Sequence, residues 1–236
     1  MKNLIIVCGL FLVGCTNPEM QQRISNYQTL INNSKEVTVF YNSQEFQEVK
    51  VEESKASENK KAGILPYLIS LKIDDIVTDR NKAKSNKYTI NFNEKLKGIY
   101  EKNSMNTDFT NAFVTQLKTK GYDVKVIEAN ESSIEKDKSQ KGLKIFLHIE
   151  TGYLSPPNSL LFEPNRVVNY QVMHDSNILS LGKVGGVGGW LGDKYTTYEK
   201  LSADAENARN IIKKYLMEEV DSTVKQVLTI GSSNIQ

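Results

Sequence analysis

The strongest nucleophiles in the chain are its two thiols, Cys8 and Cys15. Cys8 sits inside the apolar run Leu4 to Val13, and Cys15 stands just past its end, after Leu12-Val13-Gly14. Small side chains before Cys15 would let a peptidase at a bilayer surface reach the adjoining peptide bond. The Cys15 thiol is chemically an acyl acceptor. The other candidate groups predict less. A zinc site needs three or four ligands, and the chain offers only His148 and His174, with no cysteine beyond the leader region. No Ser-His-Asp set can be built from these two positions. Carboxylates are plentiful but scattered, and Asp74-Asp75 reads as the water-facing end of a strand. We therefore expect no catalytic centre, no metal and no cofactor.

The second unusual feature is a glycine run: Gly182, Gly185, Gly186, Gly188, Gly189 and Gly192, six of the chain's 14 glycines. It is not a phosphate loop. Gly182-Lys183 is followed by Val184 rather than Ser or Thr, and no glycine stands at position 177. Two readings stay open. One is a flexible connector between a hairpin and the last helix. The other is a mobile loop with an apolar tip, in which Gly185, Gly186, Gly188 and Gly189 supply backbone range. Trp190, the only tryptophan, and Leu191 would then touch a partner or a membrane.

The leader gives the first likeness. Met1-Lys2-Asn3 carries one positive charge, and the apolar stretch that follows is too short for a bilayer core of about 30 Å, which takes about 20 residues. Leu12-Val13-Gly14-Cys15 resembles the lipobox of bacterial lipoproteins. That resemblance implies a signal peptide over 1–14, cleavage before Cys15, and palmitate-type acyl chains on its sulfur. One chain binds only marginally, at about 0.8 kcal/mol per buried CH₂, so stable attachment needs the two or three that such proteins carry. Thr16, where aspartate would signal inner-membrane retention, implies the outer membrane.

Composition fits a soluble body behind that anchor: 25% charged, 39% hydrophobic, and 30 basic against 28 acidic side chains. A net charge of +2 gives no reason to expect nucleic acid. Residues 15–35 read as a tether with a short amphipathic helix, since Met20, Ile24, Tyr27 and Ile31 share one stripe. Val37 to Tyr41, Phe46 to Val51, Leu65 to Ile73, Tyr122 to Val126, Leu143 to Ile149, Val168 to Val172 and Ile178 to Leu181 read as strands, with His174-Asp175-Ser176-Asn177 as the turn into the last. Residues 53–61 and 130–142 are polar loops, and 79–107 reads as a polar insert with a short strand at Tyr88 to Phe92 and a helical turn or two over Glu94 to Lys102. A helix carries Phe109, Phe113 and Leu117 on one face and ends at Gly121. A long helix closes the chain from about Ser202 to Leu228. The expected fold is α/β (α+β): a mixed sheet of four to six strands covered by two main helices, the long one C-terminal. It forms one domain over 36–230, with a tail at 231–236.

The order of these elements, from the strand ending Ile73-Asp74-Asp75 through the Phe109–Gly121 helix and the Leu143–Glu150 strand to the last helix, resembles the small α/β domains of envelope lipoproteins. These include the periplasmic domain of the curli-secretion lipoprotein, the TolB N-terminal domain, activators of peptidoglycan synthases and auxiliary lipoproteins of lipid-transport ABC systems. The resemblance spans roughly 64–230. It implies a non-enzymatic, lipid-anchored adaptor or assembly factor on the periplasmic side of the outer membrane, bound to an envelope complex. The alternative is a surface-exposed antigen or adhesin, which the hydrophilic loops permit.

Overall fold

The computed structural model describes residues 18–51, 79–100, 103–129, 141–156, 159 and 161–229. Cys15, the strand expected at 65–73, the loop at 53–61 and nearly all of the loop at 130–142 lie outside the described residues. So does the side chain of Met20.

The fold is mixed α/β, built on a six-stranded mixed sheet. Its strands are β1 (Glu36–Tyr41), β2 (Gln47–Val51), β3 (Asp123–Glu128), β4 (Leu143–Ser155), β5 (Glu163–His174) and β6 (Asn177–Val187). The order across the sheet is β3-β1-β4-β5-β6, with β2 also paired to β4. β1 runs parallel to both β3 and β4, and β4, β5 and β6 form an antiparallel meander. The expected turn after His174 is present. Asp175 takes a positive φ of 53°, which aspartate tolerates better than most residues, and its carboxylate accepts from the Gly142 amide at 2.8 Å.

The helices are α1 (Pro18–Asn33), α2 (Asp79–Tyr100), α3 (Met105–Thr119), α4 (Tyr198–Ala203), α5 (Ala205–Glu218) and α6 (Val220–Leu228). One core lies between them and the sheet. Phe109, Phe113 and Leu117 of α3 are fully buried against Val39, Ile145 and Leu147, as their four-residue spacing requires. Each such side chain contributes about 1.5–3 kcal/mol by leaving water. Tyr27 and Ile31 bring α1 onto the same core, with Ile24 half-buried beside them. A smaller cluster, Phe40, Phe146 and Met173, occupies the opposite face of the sheet, with the two phenyl rings stacked at 4.6 Å.

Two local readings need correction. The short strand expected at Tyr88 to Phe92 is helical, part of the 22-residue α2. Phe92 and Leu96 bury that helix in the core, and polar side chains join it to β2. Asn93 both accepts from the Gln47 amide at 2.9 Å and donates to its carbonyl at 2.7 Å. Thr89 does the same for Val49 at 2.9 and 3.2 Å, and Ser85 accepts from the Val51 amide at 3.1 Å. Four residues of helix rise about 6 Å and two residues of strand about 6.6 Å, so an i, i+4, i+8 ladder of short polar side chains stays in step with β2. Second, half of the glycine run is strand: Gly182, Gly185 and Gly186 lie in β6, which continues to Val187. The expected long C-terminal helix is present from Ala205 to Leu228, with a turn at Glu219 dividing it into α5 and α6, and α4 precedes it across Asp204.

β1 and β2 are two pieces of one line along β4. Residues 42–46 span the distance that 148–150 span on β4. The surplus forms a kink, and Asn42 repairs it: its amide accepts from the Ile149 N–H at 2.9 Å and donates to the Ile149 carbonyl at 3.3 Å, as a strand residue would. The kink turns Glu45 inward. There Arg209 of α5 grips it with Nε at 2.6 Å and Nη2 at 2.7 Å, and the Met105 amide at the start of α3 donates to it at 2.8 Å.

Candidate functional site

At the end of β6 the chain leaves the sheet and turns through residues 188–190 into a short 3-10 helix, Leu191–Asp193. Trp190 and Leu191 are consecutive and are 77% and 76% exposed, with Val187 exposed next to them. These three residues form an apolar tip.

The backbone beneath the tip is fixed. Arg166 of β5 donates from Nη1 to the carbonyls of Gly186 at 2.9 Å and Gly188 at 3.2 Å, and from Nη2 to Glu219 at 3.0 Å. Its guanidinium carbon lies 5.3 Å from the centre of the Tyr215 ring. Tyr215 carries the other side: its hydroxyl accepts from the Trp190 amide at 2.9 Å and donates to the Asp193 carboxylate. Burial, with the Asp193 carboxylate adding to it, raises the Tyr215 phenol above its ordinary range, so it stays a donor. The Gly188 amide donates to the Pro164 carbonyl at 2.9 Å, and Phe162 and Tyr195 exchange backbone hydrogen bonds at 2.7 and 3.0 Å. These contacts tie the segment down at both ends.

Glycine is required at two of these positions for different reasons. Gly185 has φ of 90°, and a Cβ there would stand 2.3 Å from the Arg166 carbonyl oxygen. A Cβ on Gly189 would meet the Tyr215 ring at 3.0 Å. Gly185 lets β6 lie against the β5 backbone, and Gly189 lets the Tyr215 ring close on the chain. Gly182, Gly185 and Gly186 are strand rather than loop, and Gly188 and Gly189 lie in the connector that follows. Arg166, Gly188, Gly189, Trp190, Leu191, Tyr215 and Glu218 line a shallow, open groove of about 410 Å³.

The site residues expected from sequence thus meet in one place: Gly185, Gly186, Gly188, Gly189, Trp190 and Leu191. The supports Arg166, Tyr215, Asp193 and Glu219 were not singled out. A signal for Arg166 existed, because it shares strand parity with the inward Val168, Tyr170 and Val172. His148 and His174 lie apart, each beside a single carboxylate, Glu150 at 3.4 Å and Asp175 at 3.3 Å. Among the described residues no group of three or more His, Cys, Asp or Glu could hold a metal ion. Among them, too, no helix is long and apolar enough to cross a membrane.

This arrangement is suited to contact. An exposed aromatic tip beside an open groove, on a hydrogen-bonded mount, offers area without a large ordering cost. No protein-family model matches the chain, and no curated protein matches it either. Among solved structures it is similar to a neuraminyllactose-binding hemagglutinin homologue from Helicobacter pylori. Identity is 12%, the match covers 82% of this chain and 83% of that one, and the TM-score is 0.36. At that score the likeness carries no argument about fold or function.

Proposed function

We propose that the chain is a lipid-anchored adaptor of the bacterial cell envelope, acting by binding. It is held by acyl chains on Cys15 at the periplasmic side of the outer membrane and docks onto a complex for transport, secretion or wall synthesis. The observation that carries this reading is the tip. Trp190 and Leu191 are presented to solvent on a mount built from Arg166, Tyr215 and Glu219, and no folding role accounts for their exposure. The Leu12-Val13-Gly14-Cys15 string supplies the address.

The test is a pull-down from crosslinked envelopes with wild type and Trp190→Ala, alongside palmitate labelling of wild type and Cys15→Ser. An envelope protein recovered with wild type and lost with Trp190→Ala supports the adaptor. Recovery of the free chain alone from both rules it out. Digestion of the chain by protease added to intact cells would instead favour the surface-displayed adhesin.

A further inference from the structure

An exposed tryptophan on a lipid-tethered protein is ordinarily read as a second membrane anchor. The placement of α1 argues otherwise. α1 leads into β1, whose start pairs with the start of β4, which in turn pairs with His174 at the end of β5. The Tyr122 hydroxyl, just before β3, donates to the Ile31 carbonyl of α1 at 3.3 Å. The Tyr27 hydroxyl of α1 donates to the Val227 carbonyl at 2.5 Å, at the C-terminal end of α6. The tip sits at the other end of both elements. Gly188 bonds to Pro164 near the start of β5, and Arg166 reaches Glu219, just before α6. Ten residues of strand separate Pro164 from His174, about 33 Å.

The tether is short. Tyr27 lies nine residues into α1 from Pro18, about 14 Å along the helix axis. Cys15 is three residues earlier, at most about 10 Å of chain. Ile31 and Tyr27, one turn apart on α1, both contact that same end of the fold, so α1 crosses it rather than running toward the tip, and lipid on Cys15 would hold the body there.

We infer that Trp190 and Leu191 point away from the anchoring bilayer and insert into an apolar pocket on a protein partner in the aqueous compartment. Trp190 and Leu191 are more than three-quarters exposed, so the enclosure comes from the partner, with room for an indole. This rests on the lipid-anchored reading above and adds the direction and chemistry of its contact.

The single tryptophan makes the test direct. The full lipidated chain is reconstituted into phosphatidylcholine vesicles with plain or brominated acyl chains and floated with them. Trp190 emission should be equal in the two vesicle types and quenched by acrylamide in the water. Moving the reporter to the α1 end of the body, in Trp190→Phe/Ile178→Trp, should give the stronger quenching by brominated lipid, since Ile178 is exposed beside the β5–β6 turn. The reverse order overturns the inference in favour of a bilayer contact. A blue shift of Trp190 that grows with protein density overturns it in favour of a second copy. Failure to float breaks the anchor reading itself, a distinct result that removes this inference too. In crosslinked envelopes the partner should be lost with Trp190→Ala and kept with Ile178→Ala. Equal recovery from both variants counts against a pocket for Trp190.

Discussion

Two arginine–glutamate pairs hold this molecule together at different depths. Arg209 and Glu45 have side chains 4% and 0% exposed, joined by two charge-assisted bonds. Arg209 also donates to the Asn103 carbonyl at 2.6 Å, and its guanidinium carbon lies 5.8 Å from the Tyr100 ring centre. Arg166 and Glu219 are 17% and 15% exposed and share one bond at 3.0 Å. The inner pair fastens α5 and the start of α3 to the kink between β1 and β2, so it belongs to folding. The outer pair fastens a segment whose side chains face water, the one proposed above as the contact surface. Depth decides the difference: removing one partner strands a charge in the first case and loosens a surface in the second.

The sharpest way to break this comparison is Arg209→Met. It leaves the Glu45 carboxylate buried without its partner and should cost about 3–5 kcal/mol in urea unfolding. The double variant Glu45→Leu/Arg209→Met should recover most of that loss. A single variant within about 1 kcal/mol of wild type would mean the pair is solvated after all. Next in size is Asn93→Ala, which strips both hydrogen bonds from Gln47 and should cost about 1–3 kcal/mol. That measures what a neutral pair contributes beside the charged ones. Arg166→Gln should cost about 1 kcal/mol and speed amide exchange at Gly186 and Gly188 with little change elsewhere. Uniform acceleration through the core would erase the distinction between the pairs. Trp190→Ala should leave the unfolding midpoint within about 0.5 kcal/mol of wild type, as exposed substitutions do.

Acid provides the gentlest probe. The Tyr195 hydroxyl at 2.6 Å and Asn207 at 2.9 Å both donate to the Asp204 carboxylate and hold its pKa below the ordinary 3.8. A depressed carboxylate contributes stability that is present above its unfolded value and lost as pH falls through the lower folded one. Asp204→Asn should therefore lower Tm modestly at pH 7 and flatten the fall below about pH 4, so that the two curves converge in acid. An identical acid limb in both proteins would show that the two hydrogen bonds do not persist in solution.

Much of the fold was legible where apolar spacing was regular. α3 followed from Phe109, Phe113 and Leu117, β4 from Leu143, Ile145, Leu147 and Ile149, and the β5–β6 turn from Asp175. What the sequence hid were polar residues spent on backbone. α2 carries Tyr88, Phe92, Leu96 and Ile99 at helical spacing, with Phe92 and Leu96 buried. The local alternation of Tyr88, Ile90 and Phe92 nevertheless read as a strand and the polar flanks as an insert, while Ser85, Thr89 and Asn93 gave no sign of their role. The glycines read as slack because glycine usually marks freedom. Here a missing Cβ makes room for Arg166 and Tyr215. The tip residues themselves were visible as a lone tryptophan beside glycines, but their mount needs contacts between β5 and α5 that no local window contains.

The polar ladder on α2 has one more consequence. A bare strand margin is a template on which a neighbouring copy can add its own strand, and molecules crowded on a surface meet often enough for such swapping and fibre growth to start. By meeting the amides of Gln47, Val49 and Val51 with side chains from a helix, α2 caps β2 against that fate.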